Sequence, residues 1–280
     1  MKFYYYSGSG NLFTIIDNRF TRFSTEQLSE FAKKYCQKFD KFTIATEGFI
    51  ALNTSGNNEI EVQFFNPDGS TGMMCGNGAR SVVQFAIDLF LLNENENVRI
   101  AISGCIYNAR VYKKLIYVEF PKPIESILNK EVQFENSSII ADYVDVGSPH
   151  LLFDYSQIPF SDKFDYKYYP LVDFAEPIRN NVQLFPNGVN VSIYKIISSS
   201  AVYIRTFERG VEAETGACGT ASISIAYILM KRELINDTLT IIPTSQIPLK
   251  VNILKNNNEL EGFELTGLAD KIGYVELDIA

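Results

Sequence analysis

Two short stretches of the chain share one construction: Met74-Cys75-Gly76-Asn77-Gly78-Ala79-Arg80 and Ala217-Cys218-Gly219-Thr220-Ala221-Ser222. In each, a cysteine is followed by glycine and a small polar residue, and a run with helical apolar spacing then begins. That run is Val82, Val83, Phe85, Ala86 and Leu89 after the first, and Ile223, Ile225, Ala226 and Leu229 after the second. The spacing predicts that both sulfurs stand at helix N-termini, where unpaired backbone N–H groups and the positive end of the dipole favour an anion. A thiol so placed has a depressed pKa and works as a thiolate base or nucleophile. Two of them suggest a matched pair of proton-transfer groups. With one sulfur on each side of a bound carbon, one thiolate removes a proton while the opposite thiol delivers one, and a stereocentre inverts without any cofactor. The α-proton of an amino acid is very weakly acidic, so the charge that develops must be stabilised, and convergent N–H groups at two helix ends supply that. Gly76, Gly78 and Gly219 let the backbone approach a carboxylate closely.

The bulk properties fit a globular protein and narrow its partners. At 280 residues and 46% apolar content, the chain can fold as two modest domains or one large one. A net charge of −8 argues against nucleic acid, whose phosphates need a basic surface. No signal-peptide core precedes Ser7 and Gly8, and the most apolar stretch, residues 223–230, is too short to cross a bilayer. The expectation is a cytoplasmic protein with no membrane partner. Cysteines at 36, 75, 105 and 218 form no C-x-x-C pair, which argues against a metal site and a disulfide scaffold.

The elements that must position the cysteines come next. Strands are predicted over residues 3–6 and 12–17, joined by the turn Gly8-Ser9-Gly10-Asn11, then at 48–53 and 60–65. A helix is predicted over 25–38 with Thr25 as N-cap, and Asn66-Pro67-Asp68-Gly69-Ser70 is a strong turn. The Cys75 helix should run to about residue 92, with sheet at 98–103, 109–112 and 115–120. Pro121-Lys122-Pro123 marks a boundary, because two prolines in three residues suit neither a helix nor a central strand. Beyond it, strands near 138–146, 151–153, 189–195 and 201–206 lead to the Cys218 helix, and strands at 238–242, 249–254, 261–267 and 272–277 close the chain. The chain therefore reads as two similar halves, each mostly sheet around one helix that opens with a cysteine.

These residues carry a resemblance to a known family. Phe65-Asn66-Pro67-Asp68-Gly69-Ser70 with the Cys75 stretch resembles the first signature of diaminopimelate epimerases. Arg205-Thr206-Phe207-Glu208-Arg209-Gly210, continuing through Glu214-Thr215-Gly216-Ala217-Cys218-Gly219-Thr220, resembles the second. Gly10-Asn11 with Phe13, Gly147-Ser148-Pro149-His150 and Gly188-Val189-Asn190-Val191 are lesser matches in the family's order, so nearly the whole chain is covered. The resemblance implies a cofactor-independent isomerase that interconverts LL- and meso-diaminopimelate in lysine and peptidoglycan precursor synthesis. It makes Cys75 and Cys218 the acid–base pair. Gly76-Asn77 and Gly219-Thr220 would hold the reacting carboxylate, with Asn11 near the same centre. Asn66, Asn190, Glu208 and Arg209 would grip the distal amino-acid end, Arg209 pairing with its carboxylate and Glu208 with its ammonium. The implied fold is α+β: two pseudo-symmetric domains, each a mostly antiparallel β-sheet wrapped around a central α-helix. The first comprises residues 1–120 joined by 268–280, the second 121–267. The implied partner is a small amino-acid substrate, and the family likeness leaves room for a homodimer. Departures from the family's pattern are Ser81, where another cysteine is common, Ala221 in place of a glycine, Glu47 within Ala45-Thr46-Glu47-Gly48, and Ser148 in place of an asparagine.

Other readings stand beside this one. Cys36 and Cys105 read as small buried hydrophobes. His150, the only histidine, reads as a structural residue in a turn at least as readily as a general base. Glu212 reads as solvated, and Asn256-Asn257-Asn258 as a surface turn. The same cysteine pair would serve a racemase or epimerase of glutamate, histidine or hydroxyproline. A non-catalytic amino-acid-binding protein and a thiol–disulfide redox protein are the other classes.

Overall fold

The computed structural model of the protein describes residues 1–38, 42–71, 76–102, 104–135 and 137–278. In chain order the elements are β1 (Lys2–Gly8), β2 (Asn11–Asp17), α1 (Thr25–Tyr35), β3 (Gly48–Gly56), β4 (Glu59–Phe65), α2 (Gly76–Asp88), β5 (Asn97–Ile102), β6 (Cys105–Tyr112) and β7 (Leu115–Pro121). They continue with β8 (Glu125–Phe134), β9 (Ser137–Asp145), β10 (Pro149–Asp154), α3 (Leu171–Arg179), β11 (Asn190–Ser198), β12 (Ala201–Glu208), β13 (Ala213–Glu214), α4 (Gly219–Lys231), β14 (Thr238–Ile242), β15 (Leu249–Asn256), β16 (Glu259–Gly267) and β17 (Ala269–Glu276). The chain divides into two compact units, Met1–Glu119 with Thr266–Ala280, and Phe120–Leu265.

The first unit is built from antiparallel hairpins joined edge to edge by parallel pairs. Hairpins β1–β2, β3–β4 and β5–β6 are linked by the parallel contacts β2–β3 and β4–β5. A parallel pair cannot be closed by a tight turn and needs a crossover. Helix α1 supplies the first crossover and α2 the second. Strand β17 flanks β1, bringing the C-terminal segment into this unit.

The second unit repeats that order. Hairpin-like pairs β9–β10, β11–β12 and β14–β15 are linked by the parallel contacts β10–β11 and β12–β14. Here α3 and α4 make the two crossovers, and β8 flanks β9 as β17 flanks β1. The second crossover helix of each unit follows a cysteine stretch at the same step of the repeat.

Local sequence explains the helices. Ser24, one residue before the expected cap, closes a capping box with Gln27, and Leu28, Ala32 and Tyr35 form the buried face of α1. They pack with Phe3, Phe42, Phe49 and Phe65 into an aromatic-rich cluster. In contrast, α2 and α4 are buried on almost every side: Gly76 to Val83 in the first and Gly219 to Ala226 in the second. A helix enclosed all round belongs to the core of its unit.

The sequence reading missed strand β8, helix α3 and the two-residue strand β13. Strand β8 reads Glu-Ser-Ile-Leu-Asn-Lys-Glu-Val-Gln-Phe and is exposed over most of its length, so it lacks the apolar alternation of a strand with one core face. Helix α3 buries Leu171, Phe174, Ala175 and Ile178 at helical spacing, yet Pro170 precedes it and Pro177 interrupts it. Cys105, read as buried, is exposed at the start of β6, whereas Cys36 is buried as expected.

One close approach fixes the first unit's second crossover helix against its sheet. A Cβ built on Gly8 would lie 2.4 Å from the Asn77 carbonyl oxygen. Gly8→Ala therefore pushes the first turn of α2 off the β1–β2 hairpin and costs about 1–3 kcal/mol. Urea denaturation should show the midpoint falling with little change in slope; an unchanged midpoint would refute this packing.

Candidate active site

In the first unit, Ser9 (φ 54°) and Gly10 (φ 99°) both adopt left-handed backbone, giving the tight turn of a two-residue hairpin. The turn delivers Asn11 to a buried position at the start of β2. Arg80, on the first turns of α2, ties these parts together. Its guanidinium donates to Asn77 Oδ1 at 2.7 Å, Ser9 Oγ at 3.0 Å and the Gly76 carbonyl at 3.3 Å. Arg80 is fully buried, so these bonds form away from competing water and fix which end of the Asn77 amide faces it. Asn66 closes its own turn, with Nδ2 donating to Ser70 Oγ at 2.9 Å and its backbone N–H to the Ser70 carbonyl at 2.9 Å. Ser81 is completely buried and its hydroxyl has no partner among the described residues, so a site often filled by cysteine here holds a smaller polar atom. Cys75 itself lies outside the described residues.

In the second unit, Cys218 is the N-cap of α4, with extended backbone (φ −116°, ψ 116°). Its carbonyl accepts from Ser222 N–H at 3.1 Å and Ser222 Oγ at 2.8 Å, which anchors the first turn. Its Sγ is 3.4 Å from Thr220 Oγ1, and Thr220 Oγ1 is 2.9 Å from His150 Nε2. A chain of polar contacts thus runs from the imidazole through the threonine hydroxyl to the sulfur. Glu208 also hydrogen-bonds Cys218, and it accepts a short bond from Thr215 Oγ1.

Burial sets the charge state of these neighbours. His150 is fully enclosed and its pKa is lowered to about 3, chiefly by loss of hydration and further by the Arg209 charge. The imidazole is therefore neutral at physiological pH. Burial raises the pKa of Glu208 above the usual carboxylate value, while its bonds to Thr215 and Cys218 pull it back down. Although part of this residue is exposed, the carboxyl group itself is walled by protein.

The expected distal group is arranged as a brace. Asn190 Oδ1 accepts from the Arg209 backbone N–H at 2.9 Å, while Nδ2 donates to Ser148 Oγ at 2.8 Å and the Pro149 carbonyl at 2.9 Å. Both amide protons are thus engaged in joining β10, β11 and the end of β12. Arg209 Nη1 donates to the Asn187 carbonyl at 2.7 Å. In this unit Glu208, Thr220, Cys218 and His150 are brought together, with Asn190 and Arg209 at the adjoining strand ends. Sequence reasoning did not single out Thr215 or Arg80, whose roles depend on contacts remote in sequence.

Comparison with known proteins agrees with the resemblance in the sequence. The family model for diaminopimelate epimerase matches residues 3–114. A diaminopimelate epimerase from Chlorobaculum tepidum is 31% identical over 234 residues, covering 83% of this chain and 85% of that protein. One from Flavobacterium psychrophilum is 30% identical, covering 96% of this chain and 97% of its own length. The chain belongs to the diaminopimelate epimerase family. Among solved structures, a hydroxyproline epimerase from Agrobacterium vitis superposes with a TM-score of 0.74 at 13% identity, covering 98% of this chain and 91% of that one. A phenazine biosynthesis protein of the PhzF family from Bacillus anthracis gives 0.72 at 15% identity, covering 100% and 99%. At such identities these two establish the fold alone.

The isolated histidine gives a clean test of the burial argument. Between about pH 6.5 and 3 the unfolded chain binds a proton at residue 150 that the folded chain refuses. Its contribution to stability is therefore complete above the unfolded pKa and is lost as pH falls toward the folded one. The single imidazole Cε1–H resonance should keep a constant shift from about pH 5 to 8. A titration midpoint near the ordinary histidine value would show that His150 is not enclosed.

Proposed function

We propose that this protein interconverts LL- and meso-diaminopimelate by two-base proton transfer, with Cys75 and Cys218 as the paired acid and base. The observation that carries the reading is Cys218: a sulfur at the start of a buried helix, touched by Thr220 and Glu208, in a chain about 30% identical to diaminopimelate epimerases over most of its length. Cys75 precedes the topologically equivalent helix, and the two units act as pseudo-symmetric halves that each present one sulfur.

In this mechanism one thiolate abstracts the α-proton and the opposite thiol protonates the other face. Backbone N–H groups of Gly76, Asn77, Gly219 and Thr220 hold the reacting carboxylate and stabilise the charge that builds on it. Asn11 orients that end of the substrate. Glu208, read from the sequence as the partner of the distal ammonium, is given a different role here because its carboxyl bonds Cys218: it accepts the thiol proton, leaving a thiolate and a carboxylic acid, and its raised pKa makes it a stronger base than an exposed carboxylate. Neutral His150 orients the Thr220 hydroxyl toward the sulfur and takes no proton itself. Asn66, Arg209 and the Asn190 brace shape the pocket for the distal amino-acid end. The departures are compatible with this role: Ser148 supplies the oxygen that Asn190 Nδ2 needs, and the Ala221 methyl is completely buried. The reaction requires no cofactor, and the lysine and peptidoglycan precursor routes are where its product is used. A cytoplasmic location belongs to this reading, since that is where those precursor routes run; among the described residues no helix is long and apolar enough to span a membrane.

Incubation of the purified protein with LL-diaminopimelate in deuterium oxide should wash solvent deuterium into the α-position and produce the meso isomer. Cys75→Ala and Cys218→Ala should each lower epimerisation by on the order of 10³-fold or more, the range of a lost acid–base group. Full activity in either variant would end the two-base reading. Exchange with glutamate or hydroxyproline but not diaminopimelate would move the assignment to another amino acid.

A further inference from the structure

A cavity of about 650 Å³ opens in the second unit between the segment Asp165–Lys167, strand β12 and the loop after β14. Its size lies within the range of small-molecule sites. Side chains alternate across a strand, and β12 uses this to separate two environments. Tyr203 and Arg205, with Ile204 between them, line the cavity, whereas Thr206 bonds Ser192 and Glu208 reaches Thr215 and Cys218.

The interior of the cavity is aromatic and pre-organised. The rings of Tyr166 and Tyr203 lie 5.9 Å apart, and Ile242 and Pro243 add apolar surface. Arg205 is locked in a two-point ion pair with Glu214, Nε to Oε1 at 2.8 Å and Nη2 to Oε2 at 2.7 Å. Its Nη1 donates to the Tyr166 and Tyr169 carbonyls at 2.8 and 2.9 Å. With Arg205 and Glu214 neutralising each other, Lys167 and Lys195 remain against Asp165 among the charged lining groups. Neither lysine pairs with a carboxylate among the described residues. One positive charge is thus left over at this place in a chain whose total is −8.

The cavity shares a wall with the Cys218 loop. Glu214 turns toward the cavity and accepts from Thr244 Oγ1 at 2.7 Å. The next residue, Thr215, turns the other way and donates to Glu208. The Gly216 carbonyl accepts from Ser245 N–H at 2.8 Å, tying the loop after β14 to the residues just before Cys218. A displacement of either side of this wall reaches the other through single hydrogen bonds.

We propose that this cavity is a second ligand site, for a monocarboxylate with an aromatic or branched apolar body, and that its occupancy alters the reactivity of Cys218 through the Glu214–Thr215 wall. The carboxylate sits at the lysine rim and the apolar body lies over the tyrosine pair. A cation meets Lys167 and Lys195 instead, and a purely polar anion forgoes the aromatic interior. Binding at this place is independent of the reaction proposed above.

The chain contains no tryptophan, so indole fluorescence from a probe is read against a dark background. Indole-3-acetate should bind the full-length protein saturably with a dissociation constant below about 1 mM. Lys195→Glu, at an exposed position, should weaken that binding by about tenfold or more. Tryptamine, the same ring on a cation, should show no saturation. Saturating indole-3-acetate should change the rate at which iodoacetamide alkylates Cys218, followed by peptide mass spectrometry, by at least about fivefold in the parent and not in Lys195→Glu. Absent saturation, or binding indifferent to Lys195→Glu, would overturn the site. Binding with an unchanged alkylation rate would overturn the coupling. Because neither readout uses turnover, loss of the proposed epimerisation would change neither result.

Discussion

A helix enclosed by its own domain cannot hide where it begins, because its first N–H groups have no partner within the helix. Both α2 and α4 are sealed on nearly all sides, and each starts with glycine followed by a small polar residue. Water cannot satisfy these starts along the buried length, so whatever acceptors sit at the N-terminus matter more than they would on a surface helix. In α4 the cap position is occupied by Cys218, whose side chain makes no capping bond to the helix backbone. The orphan donors and the dipole are therefore left to act on the sulfur and on any carboxylate brought beside it. Everything proposed about the chemistry depends on that arrangement.

The sheet topology accounts for why such helices exist. Each unit assembles hairpins by parallel pairing, and parallel pairing obliges the chain to cross over. A crossover helix that packs inside the unit must enter from the end of the strand preceding it. Strand β12 delivers Glu208 and Arg209 at that end, and the short return Ala213–Glu214 leads directly to Cys218. The register β10–β11 sets His150 opposite Asn190, so the imidazole and the bracing amide come from one rung of the same ladder. The proximity of these two side chains follows from strand register.

The parts of this protein legible in the sequence were those with local signatures. The cysteine–glycine helix starts, the turns at Gly8–Asn11 and Asn66–Ser70, and the strands with one buried face could all be read from neighbouring residues. Strand β8 could not, since its fixed position comes from pairing with β9 and its side chains mostly face water. Helix α3 was obscured because Pro177 is a local veto that tertiary burial of Phe174 and Ile178 overrides. The surroundings of the sulfur were only half visible. Glu208 and Thr220 lie close to Cys218 in sequence, but His150 is remote from them along the chain and its neutrality follows from enclosure. Arg80 stood in the sequence only as part of the Cys75 stretch, with no role attached. Its burial beneath the β1–β2 turn is a property of the assembled unit.

The two ionisable groups around Cys218 illustrate how burial divides labour among otherwise generic side chains. Enclosure acts on both in the same physical direction, penalising the charged form. For His150 that removes the proton and leaves a neutral ring that can only donate or accept a hydrogen bond. For Glu208 the same penalty retains the proton to higher pH, partly countered by hydroxyl and thiol donors that stabilise the carboxylate. A carboxyl balanced in this way shares one hydrogen bond with a thiol. The histidine, the residue that a reader of the sequence would first suspect of acid–base work, is the group that burial disqualifies from it.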